Sequence, residues 1–188
     1  MNVEIISILD ISGSMSSIAR PSLQGYNSFI CEQKSIPGEA RVSLVFFDNL
    51  VQTQYSGRPI EQVSLLDTYP IRDSTALNDA LGMTITEQSR RIDAEGWADK
   101  VIVCVLTDGH ENASRRYTAP QVHSMVSAKR EQGWEFVFLA ANQDAFATGR
   151  QYGFSQDHTY NFAASADGTS TAYASMSAST RSLRGTTF

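Results

Sequence analysis

The stretch that decides the fold is residues 5–16, which read IISILDISGSMS. It belongs to a nearly continuous apolar run, Val3–Leu9, the pattern of a strand buried on both faces of a parallel sheet. The run stops at Asp10 and passes into a serine-rich loop. One carboxylate and two hydroxyls, on Asp10, Ser12 and Ser14, therefore follow the strand at alternate positions. Such a set of oxygen ligands suits hard divalent cations such as Mg²⁺.

Length and charge exclude several classes of protein. A chain of 188 residues is most simply one domain over 1–188, large enough for a single sizeable core. The net charge of −5 provides no global basic field, so we expect neither a nucleic-acid partner nor binding to an anionic membrane. No apolar run reaches the ~18 residues of a membrane-spanning helix.

The N-terminus and the cysteines predict a cytoplasmic protein. The first strand begins almost at Met1, without the basic segment and cleavage site of a secretory signal. The two cysteines, Cys31 and Cys104, lie in apolar surroundings and far apart in sequence. We therefore expect both to be reduced core residues rather than part of a disulfide or a zinc site.

The remaining chain alternates between strand and helix patterns. Further strands are predicted at Ala40–Asp48, Gln52–Val63, Lys100–Thr107, Glu135–Ala141 and Thr159–Phe162. Helices are predicted from about Ile18 to Pro37, at Ala76–Arg91, at Ala119–Glu131 and at Asp144–Tyr152. Gly57 and Pro59 interrupt the third strand, so it suits an edge, paired with the second strand in a hairpin.

The C-terminal segment 163–188 follows a predicted core of about 3–162. Of residues 163–187, 17 of 25 are Ala, Ser or Thr, a composition that leaves two interpretations open. A weak apolar stripe favours a helix that closes over the sheet, and a frayed tail is the alternative. The stripe consists of Ala172, Met176, Thr180 and Leu183.

This alternation predicts a doubly wound α/β fold with a mostly parallel central sheet, helices on both faces and one antiparallel edge strand. In such sheets the ligand site lies at the carboxyl ends of the strands, where the strand order reverses. Asp10 and Asp108 both close apolar strands at that edge. A short loop containing Thr75 precedes the second long helix. We expect this loop to lie at the same edge of the sheet as Asp10 and Asp108.

Three motifs in this order resemble the von Willebrand factor A (vWA) domain family, with its metal-ion-dependent adhesion site (MIDAS). They are the Asp-Ile-Ser-Gly-Ser motif at 10–14, the Thr-Ala-Leu-Asn-Asp-Ala segment at 75–80 and the Leu-Thr-Asp-Gly segment at 106–109. The resemblance runs from about Val3 to Phe162. It implies a Rossmann-like fold and a metal site formed by Asp10, Ser12, Ser14, Thr75 and Asp108.

The resemblance also implies how this site works. Ser12, Ser14 and usually Thr75 would bind Mg²⁺ (or Mn²⁺ or Ca²⁺) directly, while Asp10 and Asp108 act largely through water. A protein partner would complete the coordination with an Asp or Glu side chain. A stand-alone chain of this kind is similar to cytoplasmic bacterial and phage members, including tellurium-resistance-associated ones. By analogy, an ATPase or kinase is a possible partner in the same system.

One departure from the family pattern concerns the residues before the threonine. Many members have Gly-Gly there, whereas this chain has Asp73-Ser74. Asp73 either adds negative charge beside the metal or, the preferred interpretation, caps the following helix from a position in solvent. Ser74 is the other candidate for that cap. Asp48 is expected to serve the hairpin rather than the site.

Other interpretations stay open at this stage. The serine loop alone fits a turn and helix cap without a metal, and Glu111 and Asn112 fit solvated or capping residues as well as a contact to the site. An Mg²⁺-dependent phosphatase or hydrolase with Asp10 as nucleophile is a second function. Phosphatases of the haloacid dehalogenase type need an acid two residues later, where this chain has Ser12. A structural component of an assembly is a third.

Overall fold

The computed structural model describes residues 1–141 and 144–185. It contains six strands: β1 Val3–Asp10, β2 Ala40–Phe47, β3 Val51–Pro59, β4 Lys100–Thr107, β5 Glu135–Ala141 and β6 Thr159–Phe162. The α-helices are α1 Ala19–Lys34, α2 Leu77–Glu95, α3 Ala119–Glu131, α4 Ala145–Gln151 and α5 Ala166–Leu183. Short 3-10 helices lie at Gly13–Ile18, Ile60–Gln62 and Gln156–His158.

All six strands form one sheet in the order β3-β2-β1-β4-β5-β6. Every neighbouring pair is parallel except β2 and β3, which are antiparallel and joined by a tight hairpin. The chain moves outward from β1 in one direction to β2 and in the other direction through β4. The strand order therefore reverses between β1 and β4, and that crevice is where α/β sheets bind ligands. The predicted fold class and its antiparallel edge strand are confirmed.

The sheet is buried on both faces because its central strands are apolar on both. In β1, Ile5 and Leu9 contribute to one core, whereas Ile6 and Ile8 contribute to the other. Helices α1 and α5 cover the first face, and α2, α3 and α4 cover the second. Five aromatic residues in or next to β2 and β5 are buried, with Phe46 in the first core and the others in the second. These others are Phe47, Trp134, Phe136 and Phe138.

The Ala/Ser/Thr-rich C-terminal segment is the closing helix α5. Ala172, Met176 and Thr180 are buried and Leu183 packs against the same core, as the stripe predicts. Arg184 extends the closure, because its guanidinium donates to the backbone carbonyl of Gln33 at 2.7 Å. Residues 186–188, where this prediction ends, lie outside the described part of the chain.

Three local predictions are wrong. Strand β3 ends at Pro59 rather than Val63, because a 3-10 turn at Ile60–Gln62 follows the proline. The second error concerns Cys31, which was expected in the core but is exposed on α1. Cys104 is buried in β4, and both cysteines are free thiols, as predicted. Burial raises the pKa of Cys104 to about 12. Within the described ranges, no helix is both long and apolar enough to cross a membrane.

The third error concerns the start of α2. Its N-cap residue is Ala76, and no side chain of that residue caps the helix. Neither Asp73 nor Ser74 therefore occupies the capping position. The groups that bind the first N–H groups of α2 come instead from a loop far away in sequence, and they form part of the candidate site.

Candidate metal centre

The predicted site residues converge on the sheet edge between β1 and β4. Asp10 is the last residue of β1, and Asp108 directly follows β4. The register pairs Leu9 with Leu106, so the two strands end side by side. Ser12 and Ser14 follow β1 in the loop and the 3-10 helix.

Asp10 is a buried carboxylate held by hydrogen bonds to both of its oxygens. The Ser12 backbone N–H donates to Oδ1 at 2.8 Å, and the Thr107 hydroxyl donates to Oδ2 at 2.5 Å. Burial raises the pKa of Asp10 to about 6, and the hydrogen bonds from Ser12 and Thr107 oppose this rise. The Tyr69 hydroxyl donates to the Asp10 backbone carbonyl at 2.6 Å. Asp10 is therefore oriented from three directions.

Ser12, Ser14 and Asp108 form a chain of oxygen atoms. The hydroxyls of Ser12 and Ser14 lie 3.1 Å apart, and the Ser14 hydroxyl donates to Asp108 Oδ1 at 2.6 Å. Ser14 is exposed, whereas Ser12 and Asp108 are buried. Burial raises the pKa of Asp108, and the hydrogen bond from Ser14 lowers it. Ser14, the middle member of this series of oxygen atoms, is therefore the one that a ligand can reach from solvent.

Thr75 joins this group through the close approach of Gly109. A Cβ atom at Gly109 would lie 2.7 Å from Thr75 Oγ1 and 3.3 Å from Ser14 Oγ. The loop after β4 can therefore pack against both hydroxyls only because residue 109 has no side chain. Thr75, which is buried, is brought to the same place as Ser14 and Asp108.

A second set of residues fixes the backbone of Thr75. Asn112 Oδ1 accepts from the Thr75 N–H at 3.0 Å. The backbone N–H groups of Asn112 and Ala113 donate to the Thr75 carbonyl at 2.9 and 3.2 Å. The Ala76 N–H donates to the Asp48 carbonyl at 2.8 Å. Thr75 is thus clamped between the hairpin and the loop after β4.

The same loop supplies the missing cap of α2. Glu111 Oε2 accepts from the Asn78 N–H at 2.8 Å, and Ser114 Oγ accepts from the Asp79 N–H at 3.0 Å. In return, the Asp79 carboxylate accepts three backbone N–H bonds from residues 115–117 at 2.8 to 2.9 Å. We call this reciprocal arrangement the clasp, comprising Asp79, Glu111, Asn112 and Ser114. It satisfies helix N–H groups that would otherwise have no partner.

Asp73 contributes its backbone to the site. Its carbonyl accepts from the Gly13 N–H at 3.0 Å, while its side chain is exposed. Asp48 has the predicted hairpin role, because its Oδ1 accepts from the Leu50 N–H at 2.7 Å. The hydrogen bond from Tyr69 to the Asp10 carbonyl and the hydrogen bonds of the clasp were not predicted from the sequence. The only signal for the clasp was the polar pair 111–112 after Asp108-Gly109.

These residues fit a hard divalent cation. Asp108 Oδ2 is buried, and no atom in the described chain forms a hydrogen bond with it. A buried carboxylate oxygen without a partner is costly, and a cation would satisfy it. Within residues 1–141 and 144–185, no three His, Cys, Asp or Glu side chains are grouped to hold a metal. The polar atoms at this edge are hydroxyl and carboxylate oxygens, and such donors favour Mg²⁺, Mn²⁺ or Ca²⁺ over softer ions.

Comparison with known proteins gives the fold a name. No family model matches the sequence, and no curated protein matches it. Solved structures do match. Proximal thread matrix protein 1 from the mussel byssus, solved with a zinc-occupied MIDAS motif, has a TM-score of 0.70 at 18% identity; the match covers 96% of this chain and 46% of that one.

Two bacterial pilus proteins are similar to the same degree. The pilus adhesin SpaC from Lactobacillus rhamnosus GG gives a TM-score of 0.72 at 15% identity, covering 95% of this chain and 30% of that one. The vWF domain of the type V pili tip protein Mfa5 from Porphyromonas gingivalis gives 0.66 at 12%, covering 95% and 94%. This chain spans about half the length of the byssal structures that it matches. At these identities the comparison establishes the fold, which is that of a vWA domain.

Proposed function

We propose that this chain is a metal-dependent protein-interaction module with a MIDAS-type site at the β1–β4 edge. The observation that carries the proposal is the chain of oxygen atoms from Ser12 through Ser14 to Asp108, which ends in a buried carboxylate oxygen without a hydrogen-bond partner. Membership of the vWA family, which the three sequence motifs imply, belongs to the same proposal.

The site residues divide into two roles. Ser12, Ser14 and Thr75 would hold the ion through their hydroxyls, and Asp108 would complete the set. Asp10 orients the loop, because its Oδ1 fixes the Ser12 N–H and its Oδ2 is held by Thr107. When bound, the divalent ion supplies a Lewis-acidic position that attracts a carboxylate.

The expected partner is a protein that presents an Asp or Glu side chain. Serine and threonine hydroxyls are neutral, so they leave much of a divalent charge uncompensated. Ser14, the exposed member of the set, marks the side from which a partner carboxylate can approach. Mg²⁺ is the proposed ion, with Mn²⁺ and Ca²⁺ as alternatives. An ATPase or kinase in the same system, and a cytoplasmic setting, remain parts of the proposal that rest on analogy.

Burial argues against the enzymatic alternative. A nucleophilic Asp10 would need an accessible oxygen, but its side chain is fully buried and both oxygens already accept hydrogen bonds. Phosphatase activity that disappears in Asp10→Asn would nevertheless favour the enzymatic function over the protein-interaction module. A purely structural role in an assembly differs from our proposal in one respect, since it needs no ion.

Metal titration tests the site directly. Wild-type protein should bind Mg²⁺ or Mn²⁺ in calorimetry, and both Asp10→Ala and Ser14→Ala should lose most of that binding. Ser16→Ala is the matched control, because Ser16 is an exposed serine of the same 3-10 helix and has no place in the oxygen chain. Unchanged binding in Asp10→Ala would refute the site.

Partner capture tests the function. Wild-type protein should retain a protein from its native host in Mg²⁺ and release it in EDTA, and Asp10→Ala should retain none. A partner held equally in EDTA would contradict metal-bridged recognition and favour the structural role.

A further inference from the structure

A groove opens beside the candidate metal centre. Its volume is about 820 Å³, within the range of roughly 300–1,000 Å³ of small-ligand sites. Residues 49–52 of the β2–β3 turn, residues 112–116 of the loop after β4, and Asp79 and Met83 of α2 line the groove. Ser74 lines it as well and directly precedes Thr75, so the groove lies next to the loop that carries one of the proposed metal ligands.

Two arginines give this groove a positive charge on an otherwise acidic molecule. Arg115 and Arg116 have exposed side chains, and neither forms an ion pair across the described residues. Their backbone N–H groups each donate to the Asp79 carboxylate at 2.9 Å, which fixes the turn that carries them. Among the described residues, Asp79 is the only carboxylate that lines the groove, and it is buried and accepts from three backbone N–H groups. Two guanidinium groups against this one carboxylate leave the lining with a net positive charge.

Three apolar side chains also line the groove. Leu50 is 58% exposed at the hairpin tip and is held there by two hydrogen bonds with Asp48, at 2.7 and 3.1 Å. Val51 and Met83 are both half-buried, and the Arg116 guanidinium donates to Met83 Sδ at 3.7 Å. The exposed leucine is thus part of a fixed turn. The groove combines these apolar side chains with two arginines within one site.

We propose that the groove receives an extended peptide segment of the partner, in which an acidic side chain pairs with Arg115 and Arg116 and a neighbouring aliphatic side chain packs on Leu50 and Met83. Arginine pairs with carboxylates through two parallel hydrogen bonds, which gives the contact a direction. The inference extends the proposed function: the segment would continue from the acid that completes the metal site. Nucleic acid fits less well, because the net charge is −5 and the lining includes the apolar side chains of Leu50, Val51 and Met83.

The test is a selection of displayed random 12-residue peptides on wild-type protein in Mg²⁺, followed by fluorescence polarisation with the enriched peptides. We expect enrichment of sequences with two acidic residues separated by an aliphatic one. Arg115→Glu/Arg116→Glu should weaken these peptides at least tenfold, and Arg115→Gln/Arg116→Gln less. Arg90→Glu/Arg150→Glu is the matched control, because it makes the same change of charge at exposed arginines outside the groove.

The outcomes separate this inference from the proposed function. Loss of binding in Asp10→Ala combined with full binding in Arg115→Glu/Arg116→Glu would leave the metal site standing and overturn the groove. Enriched peptides without acidic residues, or no enrichment at all, would also overturn it. Displacement of the peptides by a single-stranded oligonucleotide would overturn the groove proposal as well. Mg²⁺ titration and thermal melts of each arginine and Leu50 variant establish that the fold and the metal centre are intact. Leu50→Ala should remove the aliphatic preference alone.

Discussion

At the scale of single residues, the candidate site depends on side chains that bind no ion themselves. Asp10 was recognisable from sequence because an acid that ends an apolar strand is conspicuous. Asn112 was only one of several open possibilities, and its role was not recognisable, because it accepts the Thr75 N–H and that contact exists only once α2 and the loop after β4 are brought together. A pattern of neighbouring residues cannot reveal an acceptor that lies 37 positions from its donor.

Asn112→Ala should weaken Mg²⁺ binding by about tenfold, since residues that orient metal ligands typically contribute 10–100-fold to affinity. Asn112→Asp keeps an acceptor for the Thr75 N–H and should retain most of the affinity. Calorimetric titration of both variants checks this. Equal affinities for Asn112→Ala and wild type would contradict the positioning role.

Gly109 provides a second prediction at this scale. Gly109→Ala would place a methyl group 2.7 Å from Thr75 Oγ1, which is too close for an undistorted site. Because the loop must shift, we expect Mg²⁺ affinity to fall at least tenfold while the protein remains folded. Titration measures the first effect and urea unfolding the second. Full affinity in a stable Gly109→Ala protein would show that the close approach is unnecessary.

At the scale of elements, strands and helices with strong periodicity were predictable. Strands β4, β5 and β6 have the predicted bounds. In β4 and β5 the reason is that nearly continuous apolar runs leave little choice of structure. The start of α2 was not predictable. Asp73 and Ser74 have the residue types of a local cap, yet the helix is capped by Glu111 and Ser114 from another segment. At the start of α2, a tertiary contact rather than the capping preference of the neighbouring residues determines which groups bind the helix N–H groups.

Helix α5 supports a stability prediction. Met176 is fully buried between α5 and the sheet, so Met176→Ala should lower the free energy of unfolding by about 2–5 kcal/mol through lost contacts and a cavity. Ser170→Ala, at an exposed position of the same helix, should change it little. Urea unfolding compares the two. A change below about 1 kcal/mol for Met176→Ala would mean that α5 adds little to the fold.

At the scale of the whole molecule, the proposed metal binding would be linked to folding. The donors lie on three segments that only the closed sheet brings together, so an ion that binds the folded state stabilises it. At a free Mg²⁺ concentration 100 times the Kd, the gain should be about 2.7 kcal/mol. Thermal or urea unfolding in Mg²⁺ and in EDTA measures it, with Asp10→Ala expected to show no gain. Equal gains for both proteins would indicate binding elsewhere.

The spacing of the donors also has a consequence for synthesis. Ser14 lies 94 residues before its partner Asp108, and β4 is the central strand beside β1. A nascent chain that has emerged only as far as α2 therefore has the serine loop but no β4 against which to order it. We expect the growing polypeptide to reach the cell's Mg²⁺ pool long before it can retain an ion. The capacity to recruit a partner would then arise late in translation, after the sheet has closed around its middle strand.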